Sequence, residues 1–153
     1  MKKTIYIDTS IVGGYFDDEF KESTQKLFQL LADGELTFVI SDLLEAELLD
    51  APQHVRDLLL QFSDASFKRI ELNEESIHLA DAYISEKVVG KTSLEDCRHI
   101  ALATITKVDV LVSWNFKHIV NLDRIKGYNS VNKRLGYTAI EIRSPPELTE
   151  YED

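Results

Sequence analysis

The chain has a single cysteine, Cys97, which excludes an internal disulfide and any zinc site built on several thiolates. No run of about 18 apolar residues occurs, so no membrane-spanning helix is expected. Positive charge is short: 17 Lys+Arg face 27 Asp+Glu, for a formal net charge of −10. A broad nucleic-acid-binding surface needs basic residues to displace counterions from phosphate, so this balance counts against one. It leaves room for an acidic pocket that holds divalent cations. With one cysteine and four histidines, any metal must be held by oxygen or by those scattered imidazoles. There is no internal repeat, no low-complexity segment and no interior linker. The opening MKKTIYIDTS runs from two lysines straight into a strand pattern instead of a signal-peptide core, so a cytoplasmic location is expected.

What is present is enough for one ordinary domain: 153 residues, 44% of them hydrophobic. Short runs rich in Ile, Val, Tyr and Thr alternate with helical patterns. TIYID (4–8), LTFVIS (36–41), FKRIEL (67–72), DVLVS (109–113) and TAIEIR (138–143) read as strands. ESTQKLFQLLADG closes on Gly34, DLLEAELLD stops before Pro52, and QHVRDLLLQF follows as a separate helix. EESIHLADAYISEK, SLEDCRHIALATITK and a looser segment over 121–135 complete the helical set. Apolar strands separated by helices imply a mostly parallel five-stranded sheet covered on both faces, an α/β fold of three layers. One domain over 1–146 is expected, with the acidic residues 147–153, which follow the prolines of SPPELTEYED, as a mobile tail.

Ligands of open parallel sheets gather beyond the carboxyl ends of the strands, and that rule selects among the acids. Asp8 ends the first strand and is followed by two hydroxyls and the pair Gly13 and Gly14; simple turn chemistry is the alternative reading. In SDLLEAELLD, Asp42 and Glu45 stand three apart in a capping-box pattern, which gives both a structural role. Glu47 has no such role, and it either faces solvent or reaches across the strand ends toward Asp8. In KTSLEDCRHIALAT, Thr92 and Glu95 repeat the capping pattern, leaving Asp96 as the odd acid. Asp96 shares a helical face with Ile100 and Ala103, so its carboxylate borders buried surface. A half-buried acid is expensive unless it holds a cation or joins a hydrogen-bond network. An ion pair with Arg98 or His99 is the alternative, although both point to other sides of the helix. After the fourth strand, the turn Ser113, Trp114, Asn115 is polar but neutral.

With these residues in place, the sequence resembles the PIN-domain family, in particular the toxin ribonucleases of bacterial VapBC-type toxin–antitoxin pairs. The resemblance runs from YIDTS through AELL, EDCRHIALAT and VDVLVSWNF to SPPEL, nearly the whole chain. It implies that the family's first acid falls on Asp8, with Ser10 at the adjoining hydroxyl position, the second on Glu47 and the third on Asp96. Where the family carries a fourth acid, this chain has Asn115.

The resemblance also implies a metal-dependent endoribonuclease acting on RNA with Mg²⁺ or Mn²⁺, restrained by an antitoxin and homodimeric. Such cations take hard oxygen ligands, lower the pKa of bound water and neutralise charge at a phosphodiester. Asp8 and Asp96 are the expected central ligands, Glu47 a ligand or water-orienting base, and Ser10 and Ser113 supports that orient substrate or water. Mutual repulsion should raise at least one of the carboxyl pKa values. Asn115 offers a carbonyl to a metal or water with one less negative charge, or serves only as a turn residue or helix cap. A PIN-fold binding module that does not cut RNA is the other function these residues permit.

Other features have two readings each. Trp114 and Phe116 would stack an unpaired base or pack the rim. Cys97 fits a small buried residue better than a nucleophile. His99 and His118 would approach phosphate or serve the core. Lys117, His118, Arg124, Lys126, Lys133 and Arg134 would form a phosphate-facing rim or an ordinary solvated surface. The leucine-rich faces of LFQLLADGEL and VRDLLLQF would meet a second chain or be buried within one.

Overall fold

A computed structural model describes residues 2–150. Five strands, β1 (Lys3–Ile7), β2 (Leu36–Ser41), β3 (Phe67–Ile70), β4 (Val110–Val112) and β5 (Ile142–Arg143), form one sheet in the order β3-β2-β1-β4-β5. Every pairing is parallel. The sheet is therefore wholly parallel, as the alternation of strands and helices implied.

The pleat sends successive side chains to opposite faces, and β1 shows the result. Ile5 and Ile7 enter a core with Phe28, Phe38, Leu44 and Val112, whereas Tyr6 enters the other with Val39, Ile100, Leu111 and Tyr128. Helices α1 (Thr9–Gly14), α2 (Lys21–Ala32) and α3 (Asp42–Leu48) contribute to the first core. Helices α5 (Glu74–Ser85), α6 (Leu94–Thr106) and α7 (Leu122–Arg134) contribute to the second. Three layers result. No helix among the described residues is long and apolar enough to cross a membrane.

Several local expectations change. QHVRDLLLQF forms only a short helix α4 (Gln53–Arg56) and a 3-10 turn over Leu58–Gln61, because three successive leucines cannot share one helical face. Leu58 is buried and Leu60 is 79% exposed. In LFQLLADGEL, Leu27 and Leu31 are buried within the monomer. The last strand is two residues long instead of six; Ile140 is held outside the ladder by paired bonds between its backbone and the Asn129 amide. TSIVGG, to which no element was assigned from the sequence, forms α1. The segment expected to leave as a tail from 147 is helical through Thr149 (α8, Pro145–Thr149): a Ser144–Glu147 capping box starts it, and Leu148 packs on the core shared with α2. Residues 151–153 of that tail lie outside the described residues.

Both capping boxes expected around the acids are replaced. Ser41 caps α3, its hydroxyl accepting from Leu44 N, while Asp42 accepts from Leu72 N and Glu45 pairs with Arg69. At α6 the N-cap is Ser93, with no side-chain cap bond, and Glu95 pairs with Arg98 at 3.7 Å. Asp42, Glu45 and Glu95 still have structural partners, by different contacts.

Candidate active site

The order of strands reverses at β1, which has β2 on one side and β4 on the other. A crevice opens at such a point beyond the carboxyl ends of the strands. Register places Ile7 opposite Val112, so the next residues, Asp8 and Ser113, leave the sheet side by side. Ser113 Oγ donates to Asp8 Oδ2 at 2.6 Å, and Ser10 Oγ donates to Asp8 Oδ1 at 2.6 Å. Asp8 occupies the N-cap position of α1 yet makes no cap bond. Its carboxylate spans from β1 to β4 instead, which is more than turn chemistry requires.

Ser10 and Ser113 join the acid to the neutral turn. The two hydroxyl oxygens lie 3.3 Å apart; Ser10 Oγ accepts from Trp114 N and Ser113 Oγ from Asn115 N. Asn115 Oδ1 accepts from His118 N at 2.9 Å, which fixes the orientation of the amide. The amide nitrogen therefore faces inward and donates to Asp96 Oδ2 at 3.3 Å. Asn115 thus serves both as a turn cap and as a donor to an acid, with its carbonyl occupied by backbone.

Glu47 reaches the same crevice from α3. Its Oε1 accepts from Thr9 Oγ1 at 2.6 Å and lies 2.7 Å from His99 Nε2. The solvent-facing alternative for Glu47 does not describe this geometry. Sequence reasoning missed Thr9 and Tyr6 here and weighed His99 as a phosphate contact, a core residue or a partner of Asp96, never as a partner of Glu47. The signals available were the hydroxyl directly after Asp8, and a histidine three residues after Asp96, immediately before the apolar run Ile100–Ala103.

Burial is the first cause of the electrostatics. It pushes the Asp8 carboxyl above the ordinary range, against the opposing pull of His99 and the two serine hydroxyls, and the charge on Glu47 adds to the rise. Asp96 is also raised, by burial first and by the charge on Asp8 second. Burial would raise Glu47 too, but hydrogen bonds from His99 and Thr9 outweigh it and hold its carboxyl low. Repulsion among the acids is thus present but subordinate. Asp96 makes no ion pair with Arg98 or His99; Arg98 pairs with Glu95 instead.

The donor set suits a hard cation: two desolvated carboxylates, two hydroxyls and no lysine or arginine bonded to either acid among the described residues. No group of three or more His, Cys, Asp or Glu side chains among those residues is arranged to hold a metal ion. Mg²⁺ needs no such cage, since it is held by one or two carboxylates with waters and substrate phosphate. Asp8 and Asp96 offer two such carboxylates, whereas Glu47 Oε1 is engaged by Thr9 and His99.

The aromatic turn is chiefly structural. Trp114 stacks on Phe20 at 4.2 Å, and its Nε1 donates to Thr24 at 2.8 Å. Phe116 is 49% exposed. Cys97 is buried, and burial pushes its thiol up to about 12, as suits a core residue. Of the basic residues, Arg124 donates to Val88 O and Arg134 pairs with Glu86.

Among known structures, the chain is similar to VapBC2 from Rickettsia felis, bound to a DNA fragment from their promoter, at 17% identity and TM-score 0.57 over 92% of this chain and 98% of that one. The fold is the PIN-like fold. A DNA-bound VapBC from Salmonella typhimurium matches at 16% identity and TM-score 0.57, over 95% and 99% of the two chains. VapC20 from Mycobacterium tuberculosis, a toxin that cleaves the sarcin-ricin loop, matches at 9% identity and TM-score 0.55, over 89% and 98%. At such identities the likeness is one of PIN-like fold. No family model matches the chain, and no curated protein matches its sequence.

Proposed function

We propose that this chain is a toxin-type, metal-dependent endoribonuclease, restrained by an antitoxin and acting as a homodimer. One observation carries the reading: two desolvated acids, Asp8 from β1 and Asp96 from α6, border one crevice at the topological switch point of a PIN-like sheet, linked through Ser113 and Asn115. The toxin–antitoxin character of the similar structures supports the partner, and the exposed Leu49 and Leu60 supply apolar surface for association.

Asp8 and Asp96 would hold the cation, Ser10 and Ser113 keep the Asp8 carboxylate in place, and Glu47 accepts a hydrogen bond from water beside them. A bound Mg²⁺ or Mn²⁺ would supply activation of that water and neutralisation of phosphate charge. Asn115 holds Asp96 through its amide nitrogen and adds no negative charge, so a single ion suits the site better than two.

Purified protein incubated with mixed RNA and Mg²⁺ or Mn²⁺ should cleave it, and Asp8→Asn and Asp96→Asn should each abolish cleavage. Equal activity in all three proteins refutes the assignment. A wild-type protein that binds RNA without cutting it supports the second reading, a PIN-fold binding module, which Asn115 in place of an acid favours.

A further inference from the structure

His99 is 2% exposed and sits one helical turn from Asp96, but its ring is directed at Glu47. Glu47 carries the lowered carboxyl, so it is ionised at neutral pH and can only accept; Nε2 of His99 is the donor across the 2.7 Å contact. On the opposite edge of the ring, Nδ1 shares a 2.6 Å hydrogen bond with the Tyr6 hydroxyl. Tyr6 is wholly buried, and its hydroxyl oxygen also lies 3.0 Å from Ser41 Oγ. Ser41 is itself immobilised as the cap of α3, the helix that carries Glu47. A closed loop of contacts thus runs from β2 through β1 and α6 back to α3.

Both anchors on Glu47, Thr9 and His99, bind the same oxygen, Oε1. Oε2 makes no hydrogen bond among the described residues. A carboxylate pinned through one oxygen from two sides, with the other left free, has its free lone pairs aimed in a fixed direction. Solvent-exposed glutamates rotate about their terminal bond and have no such preference. A buried histidine bonded at both nitrogens has no freedom to move with its partner, so the aim is transmitted from the sheet.

The geometry points to His99 as a positioning residue that, backed by Tyr6 and Ser41, holds Glu47 outside the metal's own ligands with Oε2 presented to the attacking water. This rests on the nuclease reading above and assigns within it a division of labour: Asp8 and Asp96 bind the ion, and Glu47 orients water. Partners of ligating or reacting groups typically matter by about 10- to 100-fold when removed.

Four variants test it: Glu47→Gln, His99→Leu, His99→Gln and the double variant Glu47→Gln/His99→Leu, with Tyr6→Phe as a milder perturbation that keeps the ring. Calorimetry of Mn²⁺ binding to the RNA-free protein should give dissociation constants within about twofold of wild type for all of them, while Asp8→Asn weakens binding by at least about tenfold. His99→Leu should lower kcat by about 10- to 100-fold with KM unchanged. His99→Gln, which keeps a donor near the Nε2 position, should recover most of that loss. The double variant should be no slower than Glu47→Gln alone, because His99 acts only through Glu47. Additive losses in the double variant, failure of glutamine to rescue, or weakened Mn²⁺ binding in His99→Leu overturn the positioning role. If His99→Leu does not fold, Tyr6→Phe and His99→Gln decide the matter, and Tyr6→Phe with unchanged kcat overturns the relay. An inactive wild type overturns the nuclease reading and this inference together; an active wild type with additive losses overturns this inference alone.

Discussion

Replacing Asp8 with asparagine should stabilise the metal-free protein while removing its ability to respond to metal. Asp8 is only 5% exposed, and its carboxyl is raised chiefly by burial, so the ionised form is penalised in the folded state relative to the unfolded chain. Asparagine has nearly the same shape and no charge; one of the two serine hydroxyls that now donate to Asp8 reverses to accept from the new amide. The gain should be about 1–2 kcal/mol, typical of relieving a functional group held against its preference. For a domain of this size that is a rise in Tm of about 2–8 °C. A raised carboxyl contributes stability that is present below the unfolded value of 3.8 and lost as pH climbs through the folded one. The advantage of asparagine should therefore be small at acid pH and grow toward neutrality. Divalent metal reverses the order: Mn²⁺ at about 100 times its Kd should stabilise the wild type by about 2.7 kcal/mol and leave the variant unmoved. Thermal denaturation of both proteins from about pH 3.5 to about 7.5, with and without Mn²⁺, measures all of this. An asparagine variant less stable than wild type at neutral pH, or one that gains as much from Mn²⁺, refutes the reasoning.

Two other substitutions probe the turn after β4. Asn115→Asp keeps the bond from His118 N but exchanges the donor facing Asp96 for a like charge; it should lower apo stability by about 1 kcal/mol and tighten Mn²⁺ binding, and calorimetry showing unchanged affinity removes that position from the metal's surroundings. Gly14→Ala would set a Cβ 2.6 Å from Trp114 Nε1, so it should cost about 1–3 kcal/mol in urea unfolding and loosen the turn that carries Asn115; an unchanged midpoint shows that Trp114 moves freely.

The acids were legible for a physical reason. Glu47 and Asp96 stand where local chemistry gives an acid little to do, after a helix cap and on the apolar face of a helix, and Asp8 was singled out by its place at the carboxyl end of a strand. Their expected neighbours were less legible. The capping boxes at Asp42 and at Thr92 fit the spacing rule, but the chain enters α3 and α6 one residue away from where the rule placed the caps, and the acids took partners from β3, from Leu72 just beyond it and from the same helix. Residues 147–149 of α8 were read as part of a tail because the end of the chain is proline-interrupted and acidic; their order comes from a capping box and from Leu148 meeting the core beside α2.

Composition and periodicity were enough to determine an α/β fold with a parallel sheet, since alternating apolar strands and amphipathic helices have few other ways to bury their faces. They also marked Glu47 and Asp96 as acids without a local capping role. What the acids do to one another was decided only by tertiary structure, because the Ile7–Val112 register, the inward turn of the Asn115 amide and the Tyr6–His99–Glu47 chain join residues up to 105 positions apart. Burial, the main cause of the raised Asp8 and Asp96 carboxyls, is a property of the assembled layers and has no counterpart in any local stretch of sequence.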